Sequence, residues 1–179
     1  MKRPTSLDYA ILGLLNQNPQ SGYRVRKAFE NTALGNYSSS PGAIYPAINR
    51  LQELELVEKT NMPNSKKMIF KSTEKGTELL KEWFLKPIEI NEIATELNEL
   101  LLRFGFMDRL IDREEQLNFL GSLKVQLEVY IKSLKEYHKN NSTTLPINGR
   151  LAFEHGISSY ETTLKWCQKA IKTITNSKS

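Results

Sequence analysis

The sequence predicts a mainly α-helical protein with one small β-hairpin, divided into two domains. Apolar residues recur every three or four positions through most of the 179 residues, which is the spacing of amphipathic helices. Residues 57–72 differ, because two short strand-like runs flank a turn rich in Asn, Pro and Ser. Near the C-terminus, two long stretches carry apolar residues at matched heptad spacing. We therefore expect an N-terminal domain over residues 1–86 and a helical domain over residues 87–179.

The elements of the N-terminal domain follow the order helix, helix, helix, hairpin, helix. Apolar spacing predicts a first helix over residues 6–16 and a second over residues 23–30. After the third helix, strands are expected over residues 57–60 and 67–72, and another helix begins at residue 73. This order predicts a winged helix-turn-helix.

The third helix is expected to begin at Ser40 and Pro41, because Ser caps helix N-termini and Pro suits the first helical position. Its residues divide between two sides of the helix. The side predicted to be buried carries Ile44, Ala47, Ile48, Leu51 and Leu54. The exposed side carries Gly42, Tyr45, Pro46, Asn49 and Arg50.

The exposed side of the third helix favours contact with double-stranded DNA. A helix with a slim N-terminal end can enter the major groove, about 12 Å wide, and place Asn or Arg against base edges. Ser hydroxyl groups can bind phosphate there, and basic side chains on the second helix and the hairpin tip can contact flanking phosphates. The expected DNA-binding residues are Ser38, Ser39, Ser40, Gly42, Ala43, Tyr45, Asn49, Arg50, Arg24, Lys27, Lys66 and Lys67.

The distribution of charge agrees with this hypothesis. Residues 1–76 carry 11 Lys and Arg against 6 Asp and Glu, whereas residues 77–179 carry 14 of each. The whole net charge of +5 therefore lies in the N-terminal part, as binding to a phosphate backbone requires. Domains without a nucleic-acid partner can carry such an excess by chance, so charge alone does not decide.

The C-terminal domain is expected to form an antiparallel helical hairpin that joins two copies of the chain. One helix is predicted over residues 90–106, followed by long helices over about 112–139 and 148–175. A hairpin this narrow buries little apolar surface by itself, so we expect a homodimer. The residues expected to form the dimer are Leu120, Leu123, Leu127, Tyr130, Leu134, Phe153, Ile157, Tyr160, Leu164 and Ile171.

Several functional classes lack the residues that they need. Cys167 is the only cysteine, which excludes an intrachain disulfide and a Cys-rich zinc site. His138 and His155 have no metal-ligand or catalytic partners at helical spacing, and there is no Gly-rich phosphate loop. No apolar run is long enough to cross a bilayer, and no cleavable leader is recognisable. We therefore expect a cytoplasmic protein that is not an enzyme and needs no cofactor or metal.

Several short motifs resemble the PadR family of bacterial transcriptional regulators. They are SLDYAILGLL at residues 6–15, SGY at 21–23, SPGAIYPAINRL at 40–51, LVE at 56–58 and TEKG at 73–76. The resemblance covers roughly residues 6–80, and the remainder is similar to the virulence-activator-type C-terminal domain of longer members. It implies a winged-helix DNA-binding regulator and a homodimer with one recognition helix per half-site. It also implies repression in most members, with release by a small molecule in some.

Two other functions are open at this point. One is a helical adaptor that binds another protein and whose DNA surface has lapsed, and the other is an activator that responds to a small molecule. Trp83 and Trp166 would suit a pocket for a small hydrophobic effector between subunits, although core or interface packing is the commoner use of such residues. Salt separates the adaptor from the DNA-binding protein, because phosphate contacts weaken steeply as ionic strength rises.

Overall fold

The computed structural model describes residues 4–30, 40–61 and 68–177. The chain forms two compact units. The first consists of Met1–Lys86 and Asn98–Ile111, and the second of Pro87–Leu97 and Asp112–Ser179. Residues 98–111 thus group with the N-terminal residues, and residues 87–97 group with the two long C-terminal helices.

The order of helices and strands agrees with the predicted fold class, which is mainly helical with one antiparallel hairpin. A short 3₁₀ turn, Met107–Arg109, follows the sixth helix. The elements are α1 (Ser6–Gln17), α2 (Gly22–Glu30), α3 (Pro41–Glu53), β1 (Val57–Asn61), β2 (Met68–Ser72), α4 (Glu74–Leu85), α5 (Ile90–Thr95), α6 (Leu97–Gly105), α7 (Arg113–Asn141) and α8 (Ile147–Asn176).

The apolar side of α3 lies in the core of the first unit, as predicted. Burial of an Ile or Leu side chain contributes roughly 1.5–3 kcal/mol to the free energy of folding, because its apolar surface leaves water. Leu54, just beyond the helix, is half-buried, and α3 runs through Pro46 without interruption. The α3 side chains that are at most 1% exposed are Ile44, Ala47, Ile48 and Leu51.

The hairpin is joined to the helices by backbone hydrogen bonds. In the β1–β2 pair, Val57 lies opposite Ser72 and Asn61 opposite Met68. Gln20, in the turn between α1 and α2, exchanges two backbone hydrogen bonds of 2.9 and 3.0 Å with Phe70 on the other edge of β2. The Phe70 side chain is buried. The hairpin, which is the wing of this fold, is therefore fixed to the helix-turn-helix.

The single helix predicted over residues 90–106 is wrong. The structure has two helices there, α5 and α6, and the backbone leaves the helical conformation at Glu96. The two pieces serve different cores, because Ile93 is buried in the second unit whereas Leu100 and Leu102 are buried in the first. The apolar spacing continues across the break and so gave no sign of it.

Arg103 fastens α6 to the end of α4. Its side chain is 1% exposed and donates to the carbonyl oxygens of Phe84, at 3.1 Å, and of Lys86. The last carbonyl groups of a helix have no intrahelical donor and carry partial negative charge, so a cation satisfies them well. The guanidinium carbon also lies 6.0 Å from the centre of the Trp83 ring.

The second unit is built on the antiparallel pair of α7 and α8. Tyr130 meets Tyr160 edge-on, with 5.0 Å between ring centres. The Cys167 thiol is buried and donates to the carbonyl oxygen of Leu120 at 3.2 Å. Burial raises the pKa of this thiol to about 11, so it is protonated and unreactive at neutral pH. The two heptad seams predicted from the sequence therefore meet within one chain.

Among the helices within residues 4–30, 40–61 and 68–177, none has both the length and the hydropathy of a membrane-spanning segment.

Gly76 tolerates a side chain least among the glycines that the structure describes in the first unit. A Cβ atom at this position would collide with the backbone carbonyl oxygen of Leu56, which cannot move without shifting the hairpin. We predict that Gly76→Ala lowers the free energy of unfolding of the first unit by about 1–3 kcal/mol, measured by urea titration. Gly105→Ala is the control, because nothing lies within 4 Å of a Cβ at Gly105. Equal stability of the two variants would contradict this packing.

Candidate nucleic-acid interface

One side of α3 is left without cover by the described residues of the first unit. Gly42, Tyr45, Pro46 and Asn49 are all exposed, and their spacing of three and four residues places them on one face. Ala43 is half-buried at the edge of this face. We call Gly42, Tyr45, Pro46 and Asn49 the α3 face. It runs from Gly42, in the first turn of the helix, to Asn49, and the positive end of the helix dipole at its Gly42 end attracts anions.

Ser40 takes the N-cap position, as the sequence predicts. Its carbonyl oxygen accepts from the N–H groups of Ala43, at 3.0 Å, and Ile44, at 3.1 Å. Its backbone is extended, and Pro41 follows at the first helical position. The Ser40 hydroxyl oxygen does not accept the expected capping bond from a backbone N–H. The carbonyl oxygen of Ser40 and the fixed backbone angle of Pro41 support the start of the helix.

Tyr45 is partly held in place by α2. A Cβ atom at Gly22 would lie 2.7 Å from Cε1 of the Tyr45 ring, so the ring packs directly on the Gly22 backbone. The Tyr45 side chain is nevertheless 43% exposed. Part of the ring is thus left uncovered while one edge of it packs against α2.

Arg50 departs from the expectation that it lies on the exposed side. Its Nε and Nη2 atoms donate to the two carboxylate oxygens of Asp8 at 2.9 and 2.5 Å. Asp8 is 0% exposed and also accepts from the backbone N–H of Thr5 at 2.7 Å, within the capping box of α1. The hydrogen bonds to Asp8 raise the pKa of Arg50, so the guanidinium stays charged. Arg50 therefore joins α3 to α1.

The flanking basic residues differ in their exposure and in whether they pair with an acidic side chain. Arg24 is exposed on α2, whereas Lys27 pairs with Glu30 at 2.6 Å. On the hairpin, Lys59 is exposed and was missed by sequence reasoning, since only the tip was considered. Lys71 pairs with Glu58 across the strands at 2.8 Å. Four expected residues lie outside the described ranges, namely Ser38, Ser39, Lys66 and Lys67.

The residues expected to form the dimer line the seam between α7 and α8. The buried ones are Leu120, Leu123, Leu127 and Ile157, and the half-buried ones are Tyr130, Leu134, Phe153, Tyr160, Leu164 and Ile171. They stabilise the hairpin of a single chain. The large apolar side chains that stay exposed on α7 and α8 are Val125, Val129, Tyr137, Ile147, Leu151 and Trp166.

The histidines lie in the second unit, away from any cluster of ligands. His138 stacks on Phe153 with 5.7 Å between ring centres, and its Nε2 atom is 3.3 Å from Glu154. Within the described part of the chain, no group of three His, Cys, Asp or Glu side chains is placed to hold a metal ion.

The Asp8–Arg50 pair yields a test of how α3 is held. Arg50→Ala leaves the Asp8 carboxylate buried without its cation, so we predict a loss of about 3–5 kcal/mol in unfolding free energy. Arg24→Ala is the matched control, because Arg24 is exposed on the same unit, and its stability should stay within about 0.5 kcal/mol of wild type. Urea titration measures both. An Arg50→Ala protein as stable as the control would show that the pair does not hold α3.

The first unit matches a family of known proteins. The family described as "Transcriptional regulator PadR-like family" matches residues 11–82. Transcriptional regulator YqjI of Escherichia coli (strain K12) is 41% identical over 76 residues, which are 42% of this chain and 36% of that protein. Negative transcriptional regulator PadR of Bacillus subtilis (strain 168) is 29% identical over 111 residues, which are 60% of each protein. The chain thus spans about a third of the first relative and 60% of the second.

Solved structures give a more distant likeness. Bacillus subtilis PadR in complex with operator DNA is 18% identical with a TM-score of 0.45, over 97% of this chain and 99% of that chain. The complex of the same protein with p-coumaric acid is 19% identical with a TM-score of 0.45, over 96% and 100%. The sequence motifs and the match to residues 11–82 make this part of the chain similar to the PadR-like family of transcriptional regulators.

Proposed function

We propose that this protein is a sequence-specific DNA-binding transcriptional regulator whose α3 face enters the major groove. The α3 face carries the proposal, because it is exposed while the opposite side of the same helix is fixed in the core and tied to α1. Asn49 supplies the amide that pairs with adenine edges, and Tyr45 supplies a hydroxyl group held in place by Gly22. Arg24 and Lys59 supply phosphate contacts on either side.

Repression is the proposed direction of regulation. The printed name of the Bacillus subtilis relative describes a negative regulator, and that protein shares 29% identity over 111 residues with this chain. A helix bound in the major groove acts as a repressor when its site overlaps a promoter, since the same groove is then closed to polymerase. An activator with the same DNA surface would bind upstream of the promoter instead.

The second unit is proposed to join two copies of the chain into a homodimer. The dimer residues predicted from the sequence line the seam between α7 and α8, so we place the interface on apolar side chains that stay exposed. Val125 and Val129 are 54% and 49% exposed, and they lie one turn apart on the side of α7 opposite Leu127, which faces α8. Residues at the two ends of α7 also suit antiparallel pairing with a second α7, because its first turn is acidic and its last turn is basic.

A small hydrophobic effector stays a prediction for this protein. In the second unit, a groove of about 460 Å³ has a volume in the range of small-molecule sites. Trp83 is used elsewhere, since its ring stacks on Tyr9 at 4.6 Å in the first unit. The groove is lined by Pro87, Ile88, Leu117, Asn118, Gly121, Ser122, Val125 and Gln126.

Selection of duplexes from a random pool tests DNA binding directly. We predict that the wild-type protein enriches a defined sequence and that Tyr45→Ala with Asn49→Ala loses preference for it by roughly 5- to 150-fold, as expected for losing one base contact of about 1–3 kcal/mol. Binding of both proteins should weaken steeply with salt. Absence of enrichment, or affinity indifferent to salt, favours the adaptor. An unchanged preference in the double variant would remove the α3 face from the contact.

Phosphate contacts are separable from base contacts by their salt dependence. Arg24→Ala should weaken binding to all duplexes alike and reduce the slope of log K against log salt by about 0.9, because one fewer counterion is released. Lys169→Ala is the control, since Lys169 is exposed on α8 in the second unit. Fluorescence anisotropy at several salt concentrations measures the slopes. Equal slopes for Arg24→Ala and the control would place Arg24 away from DNA.

Sedimentation velocity tests the homodimer. We predict a dimer for the wild type and a monomer for Val125→Asp with Val129→Asp, because two carboxylates per chain would be buried without partners. Gln168→Glu, at an exposed position on α8, is the control and should stay dimeric. A monomeric wild type contradicts the homodimer. A dimeric double variant would place the interface on another face of the hairpin.

A further inference from the structure

Residues 98–111 pack along one side of α1, and we call them the strap. The Ser6 hydroxyl donates to Glu99, and Arg109 donates to the carbonyl oxygen of Gln17. Between these ends, a Cβ atom at Gly13 would lie 2.7 Å from Cγ of the Phe106 ring, so the ring rests on the α1 backbone. At 3.6 residues per turn, Ser6, Gly13 and Gln17 share one face of the helix.

Asp8 lies on the opposite side of α1. Counting roughly 100° per residue, its side chain emerges about 200° round the helix from Ser6. There its buried carboxylate receives both hydrogen bonds from Arg50 of α3. Helix α1 therefore stands between the strap on one side and α3 on the other, and each side is attached by charged or close-packed contacts.

A rigid helix transmits displacement from one side to the other. The half-buried Phe106 ring lies so close to the backbone of Gly13 that it cannot move toward α1 without displacing the helix. The bidentate geometry of Asp8 and Arg50 ties α3 to the resulting position of α1, because guanidinium and carboxylate are held in one plane by two bonds. Base contacts need placement within about 0.5 Å, so small shifts of α3 matter.

We propose that Glu99 and Phe106 are positioning residues for DNA recognition, acting through α1 on the α3 face. This inference rests on the proposed function. Neither residue belongs to the α3 face or to the flanking basic residues, yet both are expected to set how well Tyr45 and Asn49 meet the bases. Both ends of the strap continue directly into the second unit, at Leu97 and Asp112.

The test uses the full-length protein and the duplex selected by the wild type, with an unrelated duplex for comparison. Gly13→Ala should lower the ratio of selected to unrelated affinity by about two- to thirtyfold, because the new methyl group displaces the Phe106 ring. Phe106→Leu in the same chain makes room and should restore the ratio. Gly105→Ala, within the strap but with nothing within 4 Å of its Cβ, should leave the ratio unchanged.

The ratio of affinities separates positioning from simple loss of folded protein, which lowers binding to both duplexes alike. Glu99→Ala and Glu99→Gln give a second pair with less steric demand. The Gln amide oxygen still accepts from Ser6, so Glu99→Gln should keep the wild-type ratio while Glu99→Ala lowers it. Wild-type ratios in both Gly13→Ala and Glu99→Ala would overturn the inference, as would a double variant that is not restored. A wild type that selects no duplex ends the proposed function, and this inference with it.

Discussion

The position of α3 decides what the N-terminal unit can present to a partner, and the ion pair between Asp8 and Arg50 sets that position. An apolar stripe alone allows a helix to rotate or slide by small amounts at little cost, because the hydrophobic effect has no direction. Two hydrogen bonds in one plane fix both distance and orientation. Buried pairs of this kind add little net stability, since desolvation offsets attraction, and their contribution is a defined geometry.

The same pair explains why the exposed surface of α3 is small and mostly uncharged. Arg50, the cation nearest to it, is drawn inward, and the α3 face is left with an amide, a phenol and a slim helix end. Positive charge for the phosphate backbone then has to come from neighbouring elements such as α2 and the hairpin. Under the proposed function, attraction to DNA and discrimination among sequences are therefore supplied by different residues, as in groove-binding helices.

Local patterns in the sequence were enough to predict most elements and the two sides of α3, because helix periodicity, caps and turn residues act over a few positions. Contacts between distant segments were not predictable in this way. The position of Arg50 along α3 predicts an exposed side chain. Its partner Asp8, 42 positions earlier in the sequence, draws this side chain inward. Likewise, the break at Glu96 arises because Ile93 and Leu100 join different cores, which a continuous apolar pattern does not reveal.

Hydrogen exchange of the full-length protein, with and without the selected duplex, tests most directly whether the α3 face contacts DNA. If the α3 face contacts DNA, the duplex slows exchange of backbone amides in residues 42–45, at the N-terminal end of α3, and in strand β1. Exchange in the middle of α8 is then unchanged. Slowed exchange in α8 with none in α3 would contradict it, because the partner would then bind the helical hairpin.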